Sequence, residues 1–355
     1  MRIGWTLAIL ALAGGLRAQD GFRPVLGGLP YDSGLALGVE YRKQRLAKGL
    51  VDVRAKGVGS WKLYELAEAS IGLPRLAGGL LFAEVLGRYR NYPEEDFWGL
   101  GHKSGRDRRT TYRMEDAGGT GIFGVRPKKW LEAGVSVGWL AVNAGPGKDG
   151  NWPSIEERFV PAEVPALERQ ADYLHGGGFV RADYRDEKVD TKQGGFYEFR
   201  FTKYSDRELN RYSFQRFETD VRQFFSVTER QDTIALRAAA VFTTARAGQQ
   251  VPYFLQPTVG GGGDLRGYKQ YRFRDENALA FNIEYRWRIW SIVQLVGFAD
   301  AARVFPEPGR ITVAGMRGSV GVGARIKLGD ELVLGVDLGW SPDGARVWFR
   351  GSQSY

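Results

Sequence analysis

Cysteine is absent from this 355-residue chain, and histidine occurs only 2 times, at His102 and His175. Without a thiol there is no disulfide framework, no thiolate nucleophile and no cysteine-ligated metal centre. The two histidines stand 73 positions apart with no metal-ligand spacing, and no nucleophile-elbow pattern occurs. The glycines at Gly260–Gly263 are not followed by the Lys-Ser/Thr pair of a phosphate loop. Long apolar runs are lacking too: no internal segment reaches the ~20 residues a membrane-spanning helix requires. Nor is a 3.6-residue helical period sustained anywhere after the N-terminus.

Glycine (49 residues), aromatics (13%) and charge (26%) are abundant. The net charge of +9 does not indicate nucleic-acid binding, because the basic residues alternate with acids along the chain and form no stripe. A mean hydropathy of −0.33 is compatible with a membrane protein whose polar residues line a lumen. The segment Asn277–Trp290 is the clearest sign of one. Leu279, Phe281, Ile283, Tyr285, Trp287 and Ile289 alternate with Ala280, Asn282, Glu284, Arg286 and Arg288. In a strand these sets face opposite ways, giving a bulky apolar face and a charged one. A strand between lipid and a watery lumen accounts for that contrast.

The same alternation recurs from Gly34 onward, for example in Phe196–Phe201, Thr233–Ala238 and Glu331–Trp340, without a composition break that would mark a second domain. Short turns alternate with long polar connections, notably 145–169 and 249–275. Short turns on the periplasmic side and long loops outside are the habit of outer-membrane barrels. The expected fold is therefore all-β, a transmembrane antiparallel barrel of about 16 strands with a long extracellular loop. Five strands are expected after that loop, at 277–290, 292–304, 314–327, 331–341 and 345–355, and a first short strand near 22–29. Residues 1–18 read as a signal peptide: Met1-Arg2, an apolar core from Trp5 to Ala13, and cleavage after Ala18. Residues 19–355 form the barrel, and the chain is expected in the bacterial outer membrane. Phe349 and Tyr355 share one face of the last strand, and an end on an aromatic resembles the usual terminus of bacterial outer-membrane barrels, where it serves as an assembly signal.

Two motifs narrow the family. Leu265-Arg266-Gly267-Tyr268 follows the glycine run, and Gly297-Phe298-Ala299-Asp300 lies two strands later, with Glu284-Tyr285-Arg286 between. In their order and spacing these resemble the outer-membrane-protein assembly-factor superfamily, the BamA/TamA-type bacterial surface antigen barrels. Asp96–Gly101 and the glycine-rich opening Gly34–Gly38 add weaker likeness. The resemblance implies that the loop folds into the lumen and that Arg266 meets Asp300 and Glu284, with Arg286 on the same polar face. Tyr268 and Phe298 would then pack beside the ion pair, Gly267 would let the loop tip turn sharply, and Gly260–Gly263 would supply a flexible approach. The resemblance also implies insertion or translocation of polypeptide or lipid through a lateral seam and a loop-gated lumen. Expected partners are outer-membrane lipid, client polypeptides and a separate periplasmic protein, with no nucleic acid, cofactor, metal or catalytic residue. Two departures stand out: Ala302 replaces the last glycine of the strand motif, and the interval after Ala18 leaves no room for the family's periplasmic POTRA domains. A passive, porin-like channel is the alternative, and a barrel hydrolase using loop acids and histidines is a third reading. The acids Glu94-Glu95-Asp96 and Glu156-Glu157 read as solvated loop residues.

Overall fold

The computed structural model describes residues 20–229, 232–328 and 332–351. Expectations on the signal peptide and on Tyr355 lie outside the described residues. Sixteen of the strands form one antiparallel sheet, ordered by sequence. They are β1 (Gly21–Leu26), β2 (Ala36–Arg45), β3 (Val51–Ser60), β4 (Glu65–Leu76), β5 (Leu81–Phe97) and β6 (Thr110–Lys128). Next come β7 (Leu131–Pro146), β8 (Tyr173–Asp183), β9 (Gly194–Asp206), β10 (Phe214–Ser226) and β11 (Thr233–Ala245). A separate two-stranded ribbon, β12 (Thr258–Val259) and β13 (Phe273–Arg274), belongs to the following loop. The barrel resumes with β14 (Asn277–Arg288), β15 (Val293–Phe305), β16 (Arg317–Leu328), β17 (Leu332–Ser341) and β18 (Gly344–Arg350). β1 and β18 end the strand order, and among the described residues no ladder joins them.

Alternation decides which way each side chain points. On β14, Phe281, Ile283, Tyr285 and Trp287 are exposed on the outer surface, whereas Asn282, Glu284 and Arg286 are buried within. Leu279 departs from its outward neighbours: it is covered by Ala240 and Phe305, with Met316 beside them. The long connections 98–109, 147–172, 246–276 and 306–316 all emerge at one end, and turns such as 46–50, 77–80, 129–130 and 289–292 at the other.

At the long-loop end the loops fill the barrel instead of standing off in solvent. Ile155, Phe159, Val164 and Leu167 from one loop and Val251, Tyr253 and Phe254 from another pack against Phe97, Tyr112, Tyr173 and Phe214 of the inner wall. Tyr253 meets Phe97 and Tyr112 edge-on, with ring centroids 5.8 and 5.0 Å apart. Arg274 ties this core to the loop root, donating to the Tyr253 carbonyl (2.6 Å) and the Tyr112 hydroxyl (2.9 Å). The acids of β5 are part of it as well. Glu95 and Asp96 are buried, Glu95 accepting from the Tyr112 hydroxyl and Asp96 from Arg109, so they are not the solvated loop residues the sequence suggests. Glu157 closes a capping box with Ser154 on the one-turn helix Ile155–Arg158.

Candidate functional site

Loop 246–276 descends into the lumen as the β12–β13 ribbon, with Leu265–Tyr268 near its tip. Gly260 and Gly261 have φ of 119° and 109°, a left-handed conformation that side chains rarely adopt. The Gly260 amide donates to Asp264 Oδ1 at 2.9 Å, so this glycine run is a folded turn rather than the flexible approach expected of it. Gly267 answers a different demand. A Cβ there would lie 2.6 Å from Ser341 Cβ and 2.7 Å from both Ser319 Cβ and the Trp340 carbonyl oxygen. The tip does turn sharply here, the Tyr268 amide donating to the Leu265 carbonyl at 3.0 Å across Arg266 and Gly267, but what requires glycine is the close approach of the loop backbone to the β16–β17 wall.

Arg266 is 1% exposed and its guanidinium is surrounded by acceptors. Nε and Nη2 bind Asp300 in bidentate fashion at 2.9 and 2.6 Å, and Nη1 donates to Glu284. Asp337 Oδ2 stands 3.6 Å from the same Nη1. The Phe298 ring lies flat beneath, its centroid 3.5 Å from Arg266 Cζ, adding the attraction of a cation over a π face. The Arg266 amide also donates to Asp300 Oδ2 at 3.1 Å. Asn282 Nδ2 (2.9 Å) and Ser319 Oγ (3.1 Å) donate to the same carboxylate. A carboxylate with this many donors is held in one orientation, which the planar guanidinium fork needs in order to bind it twice.

The acids continue into a larger buried network. Glu284 binds Arg286 Nε at 2.9 Å, and Asp337 binds Arg325 Nη1 at 2.6 Å and Arg350. Arg266, Arg286, Arg325 and Arg350 thus face Glu284, Asp300 and Asp337, four cations to three anions. Burying charge in this way is tolerable only because each ion has at least one partner of opposite charge in the network. The last strand joins in directly: Trp348 Nε1 donates to the Arg266 carbonyl at 2.6 Å, and Arg350 donates to the Gly262 carbonyl. Ser341 Oγ donates to the Gly267 carbonyl at 2.7 Å. All of β14 to β18 therefore grip the loop tip.

The structure brings Arg266, Glu284, Arg286, Phe298 and Asp300 together. Tyr268 is elsewhere: with Leu265 it is buried among Val259, Ala278, Ala302 and Val304, its ring 5.4 Å from Phe273, and does not flank the ion pair. Ala302, where the family motif has glycine, is fully buried in that cluster on an unbroken β15. Phe349, read with Tyr355 as the terminal-strand signal, is 72% exposed. The sequence reading missed Asp337, Arg325, Trp348, Arg350, Asn282 and Ser319. One signal was available. Gly321 and Gly323 on β16 and Gly335 and Gly339 on β17 recur at every second or fourth position of the polar face, and a Cβ at Gly339 would sit 2.7 Å from the Arg266 carbonyl carbon. Of these, Gly339 is where the loop backbone lies against the wall, while Gly321 makes room for the Phe298 ring and Gly323 and Gly335 for Arg325.

The same wall is held from the opposite end. Connection 184–193 folds inward, and its Asp190, 1% exposed, accepts from Arg288 Nη2 and Gln294 Nε2, both at 2.9 Å. Glu187 pairs with Lys327 at 2.9 Å. At the long-loop end Asp343, in the β17–β18 turn, binds Arg106 and Arg272 at 2.8 Å each. Arg272 reaches on to Ser104 Oγ at 3.0 Å. At the loop root, burial lifts the Asp275 carboxyl to about 6, and burial together with neighbouring Asp275 and Glu307 lifts Glu276 to about 7. His102 is held below its ordinary value by burial and by Arg303 and Arg317. Among the described residues no cluster of His, Asp or Glu is arranged to hold a metal.

No curated protein matches the chain in sequence. Its fold is similar to that of BamA from Haemophilus ducreyi lacking POTRA domains 1–3, with a TM-score of 0.67 at 13% identity over 93% of this chain and 69% of that one. CdiB from Escherichia coli is similar at a TM-score of 0.61 and 14% identity over 94% of this chain, and CdiB from Acinetobacter baumannii at 0.59 and 11% over 89%. The chain spans 63% and 56% of those two proteins' lengths. Sequence comparison matches the Omp85 superfamily domain across residues 88–343, which include both the loop motif and the wall that grips it. With that match covering most of its length, the chain is an outer-membrane β-barrel belonging to the Omp85 superfamily.

Proposed function

We propose that this barrel helps insert or translocate polypeptide or lipid across the outer membrane, using the β1–β18 seam and the inward-folded loop as coupled gates. One observation carries the reading: the loop tip is bonded to β18 itself, through Trp348 to the Arg266 carbonyl and through Arg350 to Asp337 and the Gly262 carbonyl. Any movement of the seam strand must then disturb the buried charges around Arg266, and release of the loop removes bonds that hold β18. The aromatic core at the long-loop end supports a gated barrel over a passive channel, because it occupies space a steady pore would need. Client polypeptides and a separate periplasmic partner are part of the same proposal.

The test is reconstitution. Proteoliposomes containing the barrel should accelerate the folding of a urea-denatured outer-membrane barrel over empty liposomes, followed by heat-modifiable migration on gels. Arg266→Ala and Asp300→Ala, if they still fold, should lose most of that acceleration. A folded wild-type barrel that does not accelerate insertion, yet gives steady ohmic conductance in planar bilayers, would establish the passive channel instead.

A further inference from the structure

The outer surface carries a groove of about 790 Å³ on strands β6 to β11, on the side of the barrel away from the seam. Its origin lies in two adjacent rows of outward-facing register partners. One row runs Phe123, Val135, Gly178, Phe201, Phe217, Phe242. The row beside it includes Val125, Ala133, Val180, Phe199 and Thr219. Gly178 and Ala133 leave the floor low, while Val135 and Phe199, 60% and 57% exposed, stand up as walls. Six strands at about 4.8 Å spacing give a trough of about 24 Å that runs across the strands, oblique to the bilayer normal because barrel strands tilt by about 35–45°.

The groove ends at a charged landmark. Val125 and Ala133 pair just above the β6–β7 hairpin, whose tip presents Lys128, Lys129 and Trp130, all exposed. Neighbouring Arg126 is already paired with Glu132 at 2.7 Å, and Arg181 with Glu198 and Glu132. Among the described residues Lys128 and Lys129 have no acidic partner. Paired lysines beside a tryptophan at a membrane boundary suit a phosphate headgroup, and the apolar trough above them suits the chain attached to it.

We propose that this face is a binding site for one anionic phospholipid, its phosphate held by Lys128 and Lys129 and an acyl chain lying across the Gly178 gap. The site needs only that the barrel sits in a bilayer, and it stands or falls apart from the seam mechanism. A zwitterionic lipid of the same chains fits the trough but gains less from the lysines, so retention separates the two.

Native mass spectrometry of the detergent-released barrel with palmitoyl-oleoyl phosphatidylglycerol or phosphatidylcholine is the direct test. Phosphatidylglycerol should stay bound to wild type and phosphatidylcholine should not. Gly178→Leu fills the gap, and Ala133→Phe fills the neighbouring row; both side chains suit a lipid face, and heat-modifiable migration reports folding. Either change should abolish retention, and Lys128→Gln with Lys129→Gln should lower it by about fivefold per lysine. Equal retention of both lipids, or retention unchanged in the folded variants, overturns the proposal. So does a barrel dimer that Gly178→Leu dissociates, since the face would then be covered by a second copy.

Discussion

Two stretches of the inner wall carry the same chemistry and meet opposite fates. On β2 to β4, Glu40, itself only 8% exposed, pairs with Arg42 and Arg54, whose side chains are 37% and 45% exposed, and Lys56 pairs with Glu68. On β14 to β17, Glu284 pairs with Arg286 and Asp337 with Arg325, all at 1% exposure or less. In both places a carboxylate alternates with an arginine two residues away on one strand face. What differs is cover: the loop tip lies over β14–β18 and excludes water from both partners of each pair, while on the early strands the arginines that hold Glu40 reach solvent. Exposed pairs gain little because water screens them and long side chains must be ordered. Covered pairs are strongly interdependent, because removing one ion strands its partner in a low-dielectric site.

The comparison can be broken most directly at the loop. Arg266→Ala leaves Asp300 and Glu284 without their shared cation and should destabilise the barrel by about 3–5 kcal/mol, read as an earlier urea transition in detergent. Gly267→Ala keeps every charge but forces a Cβ against Ser341, Ser319 and the Trp340 carbonyl, so a loss of about 1–3 kcal/mol is expected by the same measurement. If Gly267→Ala cost as much as Arg266→Ala, fit against the wall, not charge matching, would dominate the lock. At the control site, Glu40→Gln should shift the transition by no more than about 1 kcal/mol. A shift as large as that of Arg266→Ala would mean the two walls are not different after all.

The smallest expected effect concerns the loop root. Asp275 and Glu276 titrate higher in the folded barrel, at about 6 and about 7, than in an unfolded chain, where ordinary values are 3.8 and 4.5. The folded loop therefore binds more protons than the unfolded one across that window, so its stability falls as pH rises from about 4 to about 7. Hydrogen exchange across residues 249–275 should be slower at pH 5.5 than at pH 8 after correction for the intrinsic pH dependence. Glu276→Gln should flatten much of that difference. Unchanged protection between the two pH values would show that Asp275 and Glu276 do not contribute to holding the loop.

Much of this was legible in one dimension because a strand has a period of two. Phe281, Ile283, Tyr285 and Trp287 could face only one way if Glu284 and Arg286 faced the other, and the expected strand at 277–290 appears as 277–288. The first short strand is likewise present as Gly21–Leu26, which gives the sheet its even count. Arg266, Asp300, Glu284, Arg286 and Phe298 were visible through the family motifs, but the rest of the network was not. Asp337, Arg325, Trp348 and Arg350 look like ordinary lumen-facing residues until a backbone is laid over them. Tyr268 was misplaced for a related reason: adjacency in a tetrapeptide does not say which of two nearby clusters a ring will enter.

Alternation and turn chemistry are local, and so the sequence by itself determined a β-barrel and the sidedness of its strands, while likeness to a family motif pointed to the arginine that meets the acids. Depth is not local. Whether an arginine–carboxylate pair is a solvated wall contact or a buried lock depends on what covers it, and the covering loop is brought there by chain closure across many strands. The tertiary structure alone decided that five strands, including the last of the sheet, would grip one loop tip, because there the covering loop and the buried acids and arginines coincide.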